Sequence, residues 1–459
     1  MKKLFLTGAS LMAFAAAGFA QTNTATLTQN GTRQTAQQQQ TGNYLKSTIN
    51  QDQTTRTNVG NFAATRQEST GSAGNEAIVR QDVGSRGNRG YVTQVEGTGN
   101  LGLITQSNFS GDGSLQVTEG TSSDAVRSAG GNWGGIYQDG TDNKDVSINQ
   151  SNSSSKNFGE ITQYARSTRR TQIEQSTVST NNEARIFQGT PDVEAYLTAA
   201  TIQQSGNSVN NLATITQTGE GSVGSIEQNN NSRGNEAMIS QINGAIYEYA
   251  SVRQSDNSRD NKATVTQNGF GDVVNVLQTD NSVGNTATVE QTGTQSNGAT
   301  IQQQYNATNN EATIQQQGYG NNGGINQFNV ANSQATIRQN LASAAFEGSN
   351  TALINQGEQG GAQSRNNTAL ITQENSQNQA RLLQVGNGNE ANLSQLGNRN
   401  LIQSADGSAG SFATQRGNNN TLMITQDSGT AASGFVSNVA NVSQLGSGNT
   451  ATIMQTGRN

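Results

Sequence analysis

Cysteine and histidine are absent from the 459 residues, and proline and tryptophan occur once each, as Pro191 and Trp133. Without cysteine the fold is held by neither disulfides nor thiolate metal sites. Without histidine the chain lacks the commonest metal ligand and the commonest general acid–base, so the expectation is no cofactor, no metal and no enzyme activity. Aromatic residues make up 5% of the chain, charged residues 13% and apolar residues 31%. That is too little apolar surface for an ordinary globular core to offset chain entropy. Scarce charge also means little self-repulsion, and uncharged Asn/Gln-rich chains pair readily into β-structure. The formal net charge is -6 without clustered Lys or Arg, which argues against any need for nucleic acid.

Long hydrophobic runs are missing as well. The longest candidate lies at residues 4–14, after Met1-Lys2-Lys3 and before the small residues Ala17-Gly18-Phe19-Ala20. A basic start, a short apolar stretch and a small-residue cleavage site make 1–20 a secretory signal peptide by pattern. The stretch is too short to span a bilayer, so the expected mature chain is exported, not membrane-spanning, and begins near Gln21.

What the chain has instead is a repeat. Near its start it reads Asn23-x-Ala25-x-Leu27-x-Gln29-x-Gly31, and near its end Asn449-x-Ala451-x-Ile453-x-Gln455-x-Gly457. The same spacing recurs at Asn211, Ala213, Ile215, Gln217 and at Asn261, Ala263, Val265, Gln267. It returns at Asn285, Ala287, Val289, Gln291, at Asn310, Ala312, Ile314, Gln316 and at Asn389, Ala391, Leu393, Gln395. Weaker copies lie between, among them Ser222-x-Gly224-x-Ile226-x-Gln228 and Asp272-x-Val274-x-Val276-x-Gln278. From Gln217 the motif glutamines fall at 228, 241, 254, 267, 278, 291, 303, 316, 327 and 339. Every second one closes a period near 24 residues, which implies two strands per turn, joined by Gly/Asn/Ser/Asp connections with turn chemistry.

A spacing of two within the motif means a strand whose Asn, Ala, aliphatic and Gln residues share one face. The intervening positions carry Glu76, Arg80, Glu183, Glu236, Glu311, Arg338 and Glu390, charges that a core excludes, so the motif face is the inner one. The predicted fold is all-β: a β-solenoid of two parallel sheets face to face, amyloid-like, over 21–459, with about 17 two-strand turns about 4.8 Å apart. Asn then stacks on Asn and Gln on Gln, each side-chain amide donating to one neighbour and accepting from the other. Segments 111–131, 189–201 and 342–350 lack a good motif and are expected to be irregular, the last two as longer connections.

The Asn-x5-Gln spacing, with Ala and an aliphatic residue between, resembles the curlin repeat of bacterial curli fibre subunits. The resemblance covers nearly the whole mature chain, which is several times longer than the familiar subunits and has no separate polar segment before Asn23. It implies export through an outer-membrane pore with accessory factors. It also implies nucleation by a minor subunit, and a place in the biofilm matrix outside a Gram-negative-type bacterium, supporting adhesion and cell aggregation. Because the motif runs to both ends, this chain is expected to be the major subunit.

The expected activity is therefore self-polymerisation. The edge Asn23, Ala25, Leu27, Gln29 of one copy is expected to meet Asn449, Ala451, Ile453, Gln455 of another, a heterologous contact that does not close on itself. Two secreted solenoids of another kind are the alternatives. An ice-binding surface is suggested by Thr214, Thr216, Thr218, Thr264 and Thr266, although Glu, Arg, Gln and Phe187 share those positions. A carbohydrate-binding one is suggested by Trp133 and Tyr137, although isolated aromatics more often pack locally. A polysaccharide lyase would need clustered Asp, Arg or Lys, and here the acids are scattered. Those acids are expected to limit premature association by repulsion.

Overall fold

The computed structural model describes residues 23–456, apart from 31–33, 53–60, 70–73, 82–87, 96–97, 107–130, 144, 243–244, 341–348, 408–409 and 428–437. The expected leader at 1–20, the motif ends Gly31 and Gly457, nearly all of 111–131 and most of 342–350 fall outside these residues. The described residues form strands and connections and no helix, hence none long and apolar enough to cross a membrane. The chain divides into two compact units, Met1–Thr214 and Ile215–Asn459.

In the first unit the strands Thr24–Asn30, Lys46–Asp52, Glu76–Gln81, Leu101–Gln106, Val146–Gln150, Thr171–Glu174 and Ala199–Gln203 stack in one parallel sheet. The alternate strands Thr35–Gly42, Phe62–Ser69, Arg89–Val95, Trp133–Thr141, Phe158–Arg166 and Glu183–Gln188 stack in a second. Each turn of this β-solenoid thus contributes one strand to each sheet. The register puts like on like, with Ile49, Val79, Ile104, Ile148, Ile173 and Ile202 in one line. All six are fully buried. Burying each such side chain contributes about 1.5–3 kcal/mol.

The second unit repeats the architecture. One sheet runs from Val223–Glu227 through Tyr249–Arg253, Val273–Gln278, Gly298–Gln304, Asn322–Phe328 and Thr351–Gln356 to Gln379–Val385. There a rung splits: Gln379–Val385 pairs with both Leu401–Gln403 and Ala413–Arg416, which continue to Val439–Asn441 and Ser443–Leu445. The facing sheet runs from Glu236–Gln241 through Lys262–Asn268, Thr286–Gln295, Glu311–Tyr319, Gln334–Asn340, Thr368–Glu374, Glu390–Leu396 and Thr421–Asp427 to Thr450–Thr456. Alanines 263, 287, 312, 335, 369 and 391 align rung by rung and are buried. The intervening Glu76, Arg80, Glu183, Glu236, Glu311, Arg338 and Glu390 lie on the partly or fully exposed face, as alternation requires.

Connections bend through left-handed backbone, supplied by residues that tolerate it. Asn230 and Asn231, Asp256 and Asn257, and Asp280 and Asn281 all have φ between 53° and 64°, two residues in succession at the same place in each turn. At Gly219 only glycine fits, because a Cβ there would run into the carbonyl of Ala245 on the next turn. Segment 189–201, expected to be a longer connection throughout, is one only in part. Thr190 and Val193 form an antiparallel bridge around Pro191, and Ala199–Gln203 is already a rung paired with Thr171–Glu174. Its inner residues Ala200 and Ile202 fit the core although the motif asparagine is missing.

Candidate functional site: the inner amide columns and their open ends

The glutamines form continuous side-chain chains. In the second unit Nε2 of Gln217 donates to Oε1 of Gln241 (2.9 Å), Gln241 to Gln267 (2.9 Å), Gln267 to Gln291 (3.1 Å), and so on to Gln426 and Gln455 (2.8 Å). The facing column runs from Gln228 through Gln254, Gln278, Gln303, Gln327, Gln356 and Gln384 to Gln415 and Gln444. The first unit has its own pair, Gln29 to Gln204 and Gln40 to Gln188. Many of these Nε2 groups are shared with main-chain carbonyls, as Gln254 donates to the Glu236 and Asn261 oxygens (3.0 and 3.1 Å), while Gln163 and Gln188 reach threonine hydroxyls. Every chain donates in one sense, toward the C-terminal rungs, so the columns are directional.

The asparagine columns hold the expected side-chain ladder at some rungs, where Nδ2 of Asn310, Asn400, Asn420 and Asn449 donates to Oδ1 of the asparagine one rung before (3.0–3.1 Å), and they also recruit the main chain. Here Oδ1 accepts the backbone N–H of the asparagine one rung on: Asn261 from Asn285 (2.9 Å), and Asn285 from Asn310 (2.9 Å). The side-chain Nδ2 also donates to a connection, as Asn261 does to the carbonyl and hydroxyl oxygens of Ser282 (3.1 and 3.0 Å). Geometry explains the difference: the shorter arm of Asn brings its Oδ1 to the main-chain N–H of the next rung, whereas the longer arm of Gln brings its Oε1 to the next Gln and its Nε2 across to carbonyls as well.

Of the sequence-predicted core, Asn211 and Ala213 are buried in the first unit and Ile215 and Gln217 in the second. Asn261, Ala263, Val265 and Gln267 occupy one rung, and Asn310, Ala312, Ile314 and Gln316 another, all with inner faces closed to solvent. A third polar column went unnoticed in the sequence. Ser154, Ser179 and Ser208 in the first unit, and Ser232, Ser258 and Ser282 in the second, are buried inside the connections, where Ser154, Ser179, Ser208, Ser258 and Ser282 each receive an asparagine amide. Their signal is a Gln-x3-Ser-x2-Asn spacing, hidden among serines that read simply as turn formers.

The end rungs differ from the interior. Asn23, Leu27 and Gln29 are half-buried and Ala25 is exposed, while Asn449, Ala451, Ile453 and Gln455 are half-buried. Among the described residues no strand pairs with the outer edge of Thr24–Asn30 or of Thr450–Thr456. Gln29 gives its Nε2 to Gln51 (2.7 Å) and keeps Oε1 open, while Gln455 accepts from Gln426 and has no further glutamine to donate to. The first turn is also more polar than the motif suggests, since Gln38 takes the aliphatic position of its strand and donates to Ser47 Oγ (2.8 Å).

On the outer face Trp133 stacks on Phe158 (centroids 4.5 Å, planes 3° apart) and meets Tyr91 edge-on. Tyr137 leans on Tyr164, and burial, with Asp139 adding to it, pushes its hydroxyl up to about 12. These rings cover one another, which is local packing. Thr264, Thr288, Thr313 and Thr336 align in single file, flanked by Lys262, Glu311, Glu290 and Arg338 in neighbouring columns. A mixed, charged surface of that kind lacks the regular array an ice-binding face requires.

Residues 365–397, which include the strands Thr368–Glu374, Gln379–Val385 and Glu390–Leu396, match the family described as the curlin associated repeat. No curated protein matches the chain.

Proposed function

We propose, from the premise that the chain is a curlin-repeat protein, that it is a secreted subunit whose activity is end-to-end polymerisation into extracellular curli-type fibres. One observation carries this reading: the directional glutamine columns run to the outermost described rungs and leave an acceptor at one end and a donor at the other. A second copy supplies the missing partner for each, and a heterologous contact of this kind repeats indefinitely. Unpaired strand edges at both ends favour the same outcome.

The strand order refines which edges meet. Thr24–Asn30 is the first strand of its turn, and Thr450–Thr456 is the second of its own. Stacked rungs join like with like, so Gln455 of one copy donates to Gln40 of the next, and Gln444 to Gln29. The docking ends expected from sequence, Asn23 to Gln29 and Asn449 to Gln455, then both lie in the junction, on its two sheets rather than face to face. Export, a nucleating partner, an outer-membrane pore and a role in adhesion and the biofilm matrix belong to the same reading and rest on the family likeness.

Electron microscopy and fibre diffraction of the mature chain test it. Fibres with an axial repeat of about 4.8 Å are expected. Gln455→Ala or Gln29→Ala should slow elongation several-fold while Glu311→Ala leaves the rate unchanged. A chain that stays monomeric for days, or equal rates for all three variants, contradicts the proposal.

A further inference from the structure

Two carboxyl groups stand where the second unit's repeat calls for an amide. Val223, Tyr249, Val273 and Gly298 are in register, so the residues before them, Ser222, Glu248, Asp272 and Asn297, occupy one position of successive rungs. Glu248 and Asp272 are 1% and 0% exposed. In each, one oxygen accepts a backbone N–H: Asp272 Oδ1 takes that of Asn297 on the next rung (2.8 Å), the column's ordinary bond, whereas Glu248 Oε1 takes that of Gly269 in the connection leading to the next rung (2.7 Å). The other oxygens, Glu248 Oε2 and Asp272 Oδ2, are buried with no partner.

The neighbouring rungs explain what is missing. Asn297 and Asn350 use their second side-chain atom, Nδ2, to donate to the carbonyls of Gly318 and Asn375 (2.9 and 2.8 Å). A carboxylate oxygen in that place turns a donor into a second acceptor. A carboxylic acid restores it, because Asp with a proton on Oδ2 is the isostere of Asn. Ser222 faces Glu248 from the rung before, Asp272 from the rung after, and Gly269 from the connection that follows Lys262–Asn268, and among the described residues no ion pair reaches either carboxyl.

We propose that Glu248 and Asp272 form a proton-closed lock: the two rungs complete their inner column only when these carboxyls hold protons, and open when both ionise. Burial, then repulsion from Asp272, pushes Glu248 up to about 8 against the pull of the Gly269 N–H, and burial pushes Asp272 up to about 6. Both folded-state values are raised, so the closed rungs are fully stable below the ordinary carboxylate range. Stability falls as pH climbs through that range and levels off above about 8. The lock acts within one chain, whether or not chains add to one another.

Hydrogen exchange on the full chain, read on peptides covering 248–254 and 272–278 and corrected for intrinsic rates, tests it. Between pH 5 and pH 9 protection in the wild type should fall several thousandfold more than in the double variant Glu248→Gln/Asp272→Asn, because about three pKa units of Glu248 and one of Asp272 lie in that window, each worth about tenfold. Peptides covering 389–395 should respond alike in both proteins. Asp272→Asn alone, which places here the residue found at 297, should remove about tenfold of the response, and serves if the double variant does not fold. At pH 7 the wild type should also show the infrared carbonyl band of a protonated carboxyl that Glu248→Gln lacks. Equal pH responses in wild type and variants, or no such band, would overturn the lock. So would protection at pH 9 restored to the wild type alone by calcium or magnesium chloride, since the site would then hold a cation.

Discussion

The glutamine and asparagine columns bury the same amide group, yet they tolerate change very differently. In the described rungs the linked glutamine chains run from Gln217 to Gln455 and from Gln228 to Gln444 without a substitute. The asparagine position accepts Leu45, Ser222, Glu248, Asp272 and Ser333. The difference follows from where each amide finds its partners. A glutamine is both donor and acceptor to other side chains, so removing one orphans its two neighbours. An asparagine mostly serves main-chain groups, and any small acceptor, or a connection that closes by itself, can stand in.

The largest effect is therefore expected from Gln267→Ala, which removes the acceptor for Gln241, the donor to Gln291 and a bond to the Tyr249 carbonyl. Orphaned buried groups and the cavity together should cost about 3–5 kcal/mol. A guanidinium midpoint shifted by that amount at unchanged slope is the check. If the cost is no more than that of an asparagine truncation, the contrast between the columns fails.

Why the glutamine column was legible in the sequence and the asparagine column only half so follows from the same geometry. The two-residue spacing and the alternate-glutamine period specify strands, facing and two sheets, because register in a parallel stack follows directly from a repeated inner face. The links Gln217–Gln241–Gln267 are the ones that the period of about 24 residues implies. Arm length is not visible as a pattern, so the sequence shows the pairing of asparagines with one another, as at Asn310 and Asn285, and not the share that the main chain takes. The serines of the connections were masked by their own abundance. Glu248 and Asp272 sit at motif positions, but only burial reveals that their charge has no outlet. Pro191 marks an irregular connection, yet the rung Ala199–Gln203 beyond it lacks the motif asparagine, so the pattern places its start, up to Thr201, in that connection.

An asparagine truncation sharpens the contrast. Asn285→Ala loses the acceptor for the Asn310 N–H and side-chain Nδ2 and the donor to the Ala307 carbonyl, and should cost about 1–2 kcal/mol, since Asn310 Nδ2 keeps the Val330 carbonyl. Asn285→Ser should recover part of this, because Ser333 fills the same position and its Oγ accepts the Asn367 N–H (3.0 Å). A serine variant no better than alanine would show that the position needs its amide donor more than its acceptor. Ser282→Ala should cost less, about 0.5–1 kcal/mol, since the Ser282 carbonyl still receives Asn261 Nδ2 (3.1 Å) and the next rung already carries Ala307.

The smallest effect belongs to the outer face. Glu311 is exposed and shares its Oε2 with Gln334 Nε2 (3.3 Å), a contact water replaces readily. Glu311→Ala should change stability by less than about 0.5 kcal/mol. Lys262→Ala should do little more, although Lys262 Nζ reaches Glu236 across the rung (2.9 Å), because an exposed pair of this kind contributes at most about 1 kcal/mol. The same denaturation series measures both. A loss at Lys262 approaching that of Gln267→Ala would mean that charge pairs between turns, rather than the inner amides, hold the rungs in register. The outer face would then decide which strands stack, and the inner columns would only fill the space that it encloses.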